Sequence, residues 1–221
     1  MERIIRVTGK GNISVRPDTT RVLITLSEVF PSYEKAVEGS TEEKKHLTDD
    51  LGKLGFEKSD LKTTNFSVDP EYENYKDKDD CWKNRLVGYR YRHNIKLEFP
   101  IDNALLGKVF YTLAHCKSAP EFQVQYTIAD PEPVKNKLLS KAVEDAKEKA
   151  AVIAEAAGVQ LKEIVTIDYS WKELELISRT CDNRPLAGAM LKSSRMDSYD
   201  VDIEADDIQT SDTVTIVWAI A

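Results

Sequence analysis

The first thirty residues alternate between apolar and polar positions, which predicts two strands at the start of the chain. The first strand is predicted from four alternating apolar residues: Ile5, Val7, Ile13 and Val15. Gly9 and Gly11 interrupt this alternation, and glycine inside a strand favours a bulge. Because a strand surrounds Gly9-Lys10-Gly11, the pattern does not indicate a phosphate loop. The second strand is predicted over 21–30.

Three later segments change to the helical period and predict helices. The first runs from residue 32 to about residue 54, with Gly55 as its C-cap, and Asp102 caps a short second helix. The third runs over 131–157 between Asp130 and Gly158. It carries a small residue at every fourth position: Ala142, Ala146, Ala150 and Ala154. Such a stripe predicts that this helix packs unusually close to its neighbour.

The remaining alternating segments predict six more strands, over 66–72, 89–99, 122–128, 163–169, 201–205 and 213–220. Residues 73–85 are polar and rich in charge, and they predict a connection between two of these strands that forms a mobile hairpin tip. Residues 171–199 show weak periodicity and predict an irregular excursion or an interaction arm. The fold class is therefore α+β, with antiparallel or mixed β-sheets backed by three helices. The 221 residues form a single unit or two subdomains.

The composition of the chain limits which binding partners and which cellular location we expect. The 38 acidic and 31 basic side chains give a formal net charge of −7, which disfavours nucleic acid and anionic membranes as partners. No segment approaches the length of a membrane span. The three cysteines lack the spacing of a zinc site or a disulfide framework. Since the N-terminal residues enter a strand pattern without a signal-peptide core, we expect a cytoplasmic protein.

Several short motifs, in this order along the chain, resemble those of the SIMPL (DUF541) family. They are Val7-x-Gly9-x-Gly11, Pro17-Asp18, Leu51-x-x-x-Gly55, Asp60-Leu61-x-Thr63, Val68-x-Pro70-x-Tyr72, Gly88-Tyr89, the alanine stripe ending at Gly158, and the closing strand Val214–Ile220. The resemblance implies an α+β fold and, for some members, assembly into ring-like or channel-like oligomers. It also implies links to oxidative-stress tolerance and kinase signalling. It implies no catalytic residues.

His93 is the histidine best placed for a chemical role, because it projects from the apolar face of a strand. A buried general base and a hydrogen-bonded core histidine both fit this position. An enzyme would need His93 in a cleft, with an acid or base within hydrogen-bond reach. We assign no catalytic, cofactor-binding or metal-ligating residue, and we expect no cofactor.

Two other features are candidates for binding or redox chemistry. Arg90 and Arg92 form a basic stripe on one strand, while Asp202 and Glu204 belong to an acidic stripe on another. Either stripe marks a solvated sheet face, or the two stripes pair across a sheet or a subunit interface. Cys81 lies in the polar connection near basic residues, which makes it a candidate redox-sensing thiol.

The sequence therefore predicts a self-assembling binding or scaffolding protein, a homo-oligomer linked to the oxidative-stress response. Exposed strand edges and the alanine-striped helix offer surfaces for assembly. Two alternatives remain open at this point. One is a small-molecule enzyme with a pocket around His93. The other is a signalling adaptor whose 171–199 segment binds a protein partner.

Overall fold

The computed structural model of the chain describes residues 3–78, 80–169, 174–178, 199 and 201–221. Most of the predicted interaction arm at 171–199, including Cys181, and also Asp200 lie outside the described residues. The elements follow the order β1 (Ile4–Val15), β2 (Thr19–Phe30), α1 (Tyr33–Gly52), β3 (Lys62–Lys76), β4 (Trp82–Pro100), α2 (Asn103–His115), β5 (Glu121–Thr127), α3 (Glu132–Ala157), β6 (Leu161–Asp168) and β7 (Ile208–Ile220). Three helices and two antiparallel sheets confirm the predicted α+β class.

The described residues cluster into two compact units. The first comprises the described residues within Met1–Asp18, Tyr126–Thr180 and Ala205–Ala221. It contains a three-stranded sheet in the order β1-β7-β6, and α3 covers one face of that sheet. The pairing of β1 with β7 runs without a register shift over the whole of β1. The predicted bulge at Gly9 and Gly11 is therefore wrong.

The two glycines serve the packing of α3 on β1. A Cβ atom added to Gly9 would lie 2.1 Å from the Ala142 carbonyl oxygen, and one added to Gly11 would lie 2.2 Å from that of Leu138. The helix backbone thus occupies the space that a side chain would need. All four alanines of the stripe are buried, which confirms the predicted close packing of this helix. The core of the unit combines the stripe with residues of β1 and β7, chiefly Val7, Val214, Ile216 and Trp218.

The second unit comprises the described residues within Thr19–Gln125 and Cys181–Glu204. Its sheet has the strand order β3-β4-β2-β5, and both α1 and α2 belong to it. The predicted cap of α2 is confirmed, because the Asp102 carboxylate accepts a hydrogen bond from the Leu105 amide at 3.0 Å. The first helix ends at Gly52 rather than beside Gly55.

Two predicted elements differ from the structure. Most of 73–85 is not a loop, since β3 continues to Lys76 and β4 already begins at Trp82. Residues 201–207 form no strand, although 201–205 alternate like one. Near this segment the Tyr199 amide donates to the Gly107 carbonyl of α2, and the Asn103 side chain donates to the Ile203 carbonyl. The alternation of apolar and polar residues over 201–205 indicates that one side is buried. A strand also needs a neighbouring strand for its backbone hydrogen bonds, and here the neighbouring element is the helix α2.

No helix in the described part of the chain combines the length and the apolar character needed to cross a membrane.

Candidate interaction surface

The β3–β4 hairpin continues beyond the rest of its sheet. Pairing of β2 with β4 ends at Phe30 and Tyr89, whereas β3 remains paired with β4 as far as Lys76 and Trp82. We call residues 71–88 the hairpin extension. A register shift at its root leaves Val87 as an extra residue on β4, and such a bulge bends the ribbon locally. The extension is therefore a two-stranded ribbon.

One face of the hairpin extension presents aromatic and apolar side chains to solvent. Cross-strand pairing places Tyr72 opposite Leu86, and Lys76 opposite Trp82. Tyr72, Leu86 and Trp82 are 60%, 49% and 69% exposed. The Lys76 ammonium lies 5.5 Å from the centroid of the Trp82 ring, a cation–π contact. Tyrosine and tryptophan are enriched in protein interfaces because they bury a large area at a low entropic cost.

The opposite face of the extension carries charges that neutralise one another. Arg85 forms an ion pair with Glu73, and its guanidinium also lies 5.6 Å from the centroid of the Tyr75 ring. Lys83 forms an ion pair with Asp77 at 2.6 Å. The Arg85–Glu73 pair is exposed and therefore contributes little stability, whereas the Asp77 side of the second pair is partly buried. Both pairs leave this face locally near neutral.

The basic stripe finds its partners on the neighbouring strand. The Arg90 guanidinium donates to both carboxylate oxygens of Glu71, at 3.0 and 2.9 Å, and Arg92 lies 3.9 Å from Asp69. The hydrogen bond from Arg90 lowers the pKa of Glu71. The arginines thus pair across the sheet with carboxylates of β3.

Within the described part of the chain, the acidic stripe does not pair with the basic stripe of Arg90 and Arg92. Asp202 and Glu204 are exposed, they lie outside any strand, and neither forms an ion pair with Arg90 or Arg92 there. A role of these charges at a subunit interface stays a prediction.

Cys81 lies in the turn of the hairpin extension as an exposed free thiol. Its amide donates to the Asp77 carboxylate at 3.1 Å. The two basic neighbours that suggested an activated thiol, Lys83 and Arg85, are each paired with a carboxylate. The redox role of Cys81 stays a prediction.

His93 lies buried between α1 and β3, only 7% exposed. Its Nδ1 is 3.2 Å from the Ser40 hydroxyl, and its Nε2 is 2.8 Å from the Thr63 hydroxyl, which also accepts from Lys44. The ring of Phe66 packs edge-on against the imidazole. No acidic side chain among the described residues hydrogen-bonds the imidazole. This geometry fits a histidine that fixes α1 on the sheet.

The environment of His93 predicts an acid-sensitive contribution to stability. Burial lowers the pKa of His93, and the nearby Lys44 ammonium adds to this effect. A lowered pKa in the folded state means that the stabilisation is complete above the ordinary value of about 6.5 and is lost as the pH falls through the lowered pKa. From about pH 8 to about pH 5, wild type should therefore lose stability relative to His93→Gln.

Urea unfolding at a series of pH values measures this difference. His46→Gln is the matched control, because it replaces a histidine that lies exposed on α1. Parallel profiles for wild type and His93→Gln would contradict the expected contribution of His93 to the pH dependence of stability.

The amino-acid sequence did not reveal the partners of Arg90 and Arg92. It also did not reveal the apolar face of the hairpin extension. Tyr72 was assigned to a strand, but Trp82 and Leu86 fell in or beside the predicted connection. The missed signal is the pair of aromatic residues, Tyr75 and Trp82, inside a segment otherwise rich in charge. Aromatic residues favour strands, and here they mark the ends of the hairpin.

The family comparison covers nearly the whole chain. The sequence model of the SIMPL family, described as "Protein of unknown function (DUF541)", matches residues 5–218. The chain is also similar to the "26 kDa periplasmic immunogenic protein" of Brucella melitensis biotype 1 and to that of Brucella abortus strain S19. Each is 25% identical over 163 residues, which is 74% of this chain. The chain spans 65% of the length of these curated relatives. Their names place those proteins in the periplasm, and the cytoplasmic location of this chain stays a prediction.

Proposed function

Because this chain belongs to the SIMPL family of proteins of unknown function, we propose its role from its surface: it is a self-assembling binding or scaffolding protein whose copies associate through the hairpin extension. The observation that carries this proposal is the solvent-exposed aromatic face of a ribbon that, among the described residues, only two strands form.

The hairpin extension gains stability when a partner covers it. An isolated two-stranded ribbon is marginal in water, and three or more strands or a packed face are needed for independent stability. Tyr72, Trp82 and Leu86 keep between 49% and 69% of their surface in water without a covering element in the described chain. Exposed apolar patches of this kind mark interaction sites in soluble proteins.

A second copy of the chain fits this face because the extension carries almost no net charge. Its four basic and five acidic side chains leave −1, against −7 for the whole protein. Arg85 and Lys83 are paired with carboxylates within the extension, on the face opposite the aromatic residues. Two copies related by a two-fold axis would bring Tyr72, Trp82 and Leu86 of one extension onto the same residues of the other.

Light scattering after size exclusion tests the proposal. We expect wild type to have a mass that is a multiple of 25.0 kDa, and the triple variant Tyr72→Ser, Trp82→Ser, Leu86→Ser to have the monomer mass. The aromatic residues should dominate the loss, because interface energy concentrates in such anchors.

The matched control carries Val152→Ser and Ile153→Ser, which replace exposed apolar residues of α3 and should leave the wild-type mass unchanged. Circular dichroism confirms that each variant is folded. A monomeric wild type at up to about 0.1 mM, or a triple variant that keeps the wild-type mass, would exclude assembly through the extension.

A further inference from the structure

The first unit contains an open groove of about 510 Å³ at the end of the β1–β7 ladder. Three successive cross-strand pairs contribute to its lining: Asn12 with Ser211, Ile13 with Thr210, and Ser14 with Gln209. One turn of α3 completes it with Lys137 and Lys141. A volume of this size lies within the range of small-molecule sites, roughly 300–1,000 Å³.

The charge of the groove is opposite to that of the protein. Its eight lining residues include two lysines and no carboxylate, in a chain with seven more acidic than basic side chains. Two other lysines of α3 are neutralised along the helix, Lys135 by Glu132 and Lys149 by Asp145. Within the described part of the chain, Lys137 and Lys141 form no ion pair, and the Lys141 ammonium donates to the Asn12 carbonyl at 3.4 Å.

The spacing of these two lysines favours an anion between them. They lie four residues apart on α3, where like charges face one another and destabilise a helix. A bound anion would neutralise both ammonium groups at once. Lysine is a common partner of phosphate and carboxylate oxygens because its three donors can rotate towards them.

The rest of the lining supplies neutral hydrogen-bonding groups rather than an apolar wall. Asn12 and Gln209 carry amides, and Thr210 and Ser211 carry hydroxyls. The Ser14 hydroxyl donates at 3.0 Å to Asp207, a carboxylate outside the lining residues. Ile13 is the one large apolar residue in the lining. This composition suits a small, hydrophilic molecule with several oxyanion groups and does not suit a flat aromatic ligand.

We propose that this groove binds a small polyanion that carries phosphate or carboxylate groups, with Lys137 and Lys141 as its principal ligands. The site lies in the first unit, whereas the hairpin extension belongs to the second, so the proposal does not depend on assembly.

Isothermal titration of the full chain at low ionic strength tests the site, with pyrophosphate and citrate as the probes. Wild type should bind at least one probe, and Lys137→Gln with Lys141→Gln should weaken that binding about tenfold or more, because two charged hydrogen-bonding groups are lost. Preference for pyrophosphate would assign a phosphate ligand, and preference for citrate a carboxylate ligand.

The control variant carries Lys135→Gln and Lys149→Gln, which change the net charge by the same amount on the same helix. It should bind as wild type does. Equal weakening in both double variants would indicate diffuse electrostatic attraction and would overturn the site. Wild type that binds neither probe at millimolar concentration would overturn it as well.

Discussion

Replacing Gly9 with alanine is expected to lower the free energy of unfolding of the first unit by about 3 kcal/mol. The new Cβ would lie 2.1 Å from the Ala142 carbonyl oxygen and 2.5 Å from the Ala146 amide nitrogen. Both atoms belong to the backbone of α3, so no change of rotamer can relieve the contact. The helix must move away from the sheet, which opens the core around the alanine stripe.

Gly52→Ala is the matched control for this variant. Nothing lies within 4 Å of the position that its Cβ would occupy, and the residue ends α1 with no positive φ. Alanine there should be neutral or slightly stabilising, because it restricts the unfolded chain. Urea denaturation monitored by circular dichroism compares the two. Identical midpoints for Gly9→Ala and wild type would show that α3 does not rest against β1 as described.

Replacing Trp218 with alanine is expected to cost about 3–5 kcal/mol of stability. Trp218 lies on β7, the central strand of the three-stranded sheet, and is 5% exposed. It packs in the core cluster with the alanine stripe and with Val214 and Ile216. Truncation removes the largest side chain of that cluster and leaves a cavity that α3 and two flanking strands cannot fill without moving.

Trp82→Ala removes the same side chain from a position that is 69% exposed, and it provides the control for Trp218→Ala. Its free energy of unfolding should stay close to that of wild type, within about 0.5 kcal/mol. Both variants are compared in dilute solution at one protein concentration, so that assembly contributes little to the measured stability. A Trp218→Ala midpoint as high as that of Trp82→Ala would contradict the described core.

The candidate surfaces show where sequence reasoning succeeded and where it stopped. Arg90 and Arg92 were recognisable as a basic stripe, because alternation alone assigns side chains to a strand face. Their partners were not, since the register of β3 against β4 places Arg90 opposite Asp69 and within diagonal reach of Glu71, whose carboxylate it binds. The lysines of the groove were not recognised at all. The two lysines line a groove only because β1 and β7 pair beside α3, and these two strands are about two hundred residues apart in sequence.

Local patterns in the amino-acid sequence were sufficient to predict the fold class and most of the helices and strands. The alanine stripe predicted the close packing of α3, and Asp102 predicted the start of α2, because small side chains and helix caps act locally. The tertiary structure alone decided that Gly9 faces a helix backbone instead of forming a bulge. It also decided that 201–205 pair with no strand among the described residues, and that the hairpin extension continues past β2. These features depend on which distant segment lies alongside, and a local pattern of apolar and polar residues does not encode that choice.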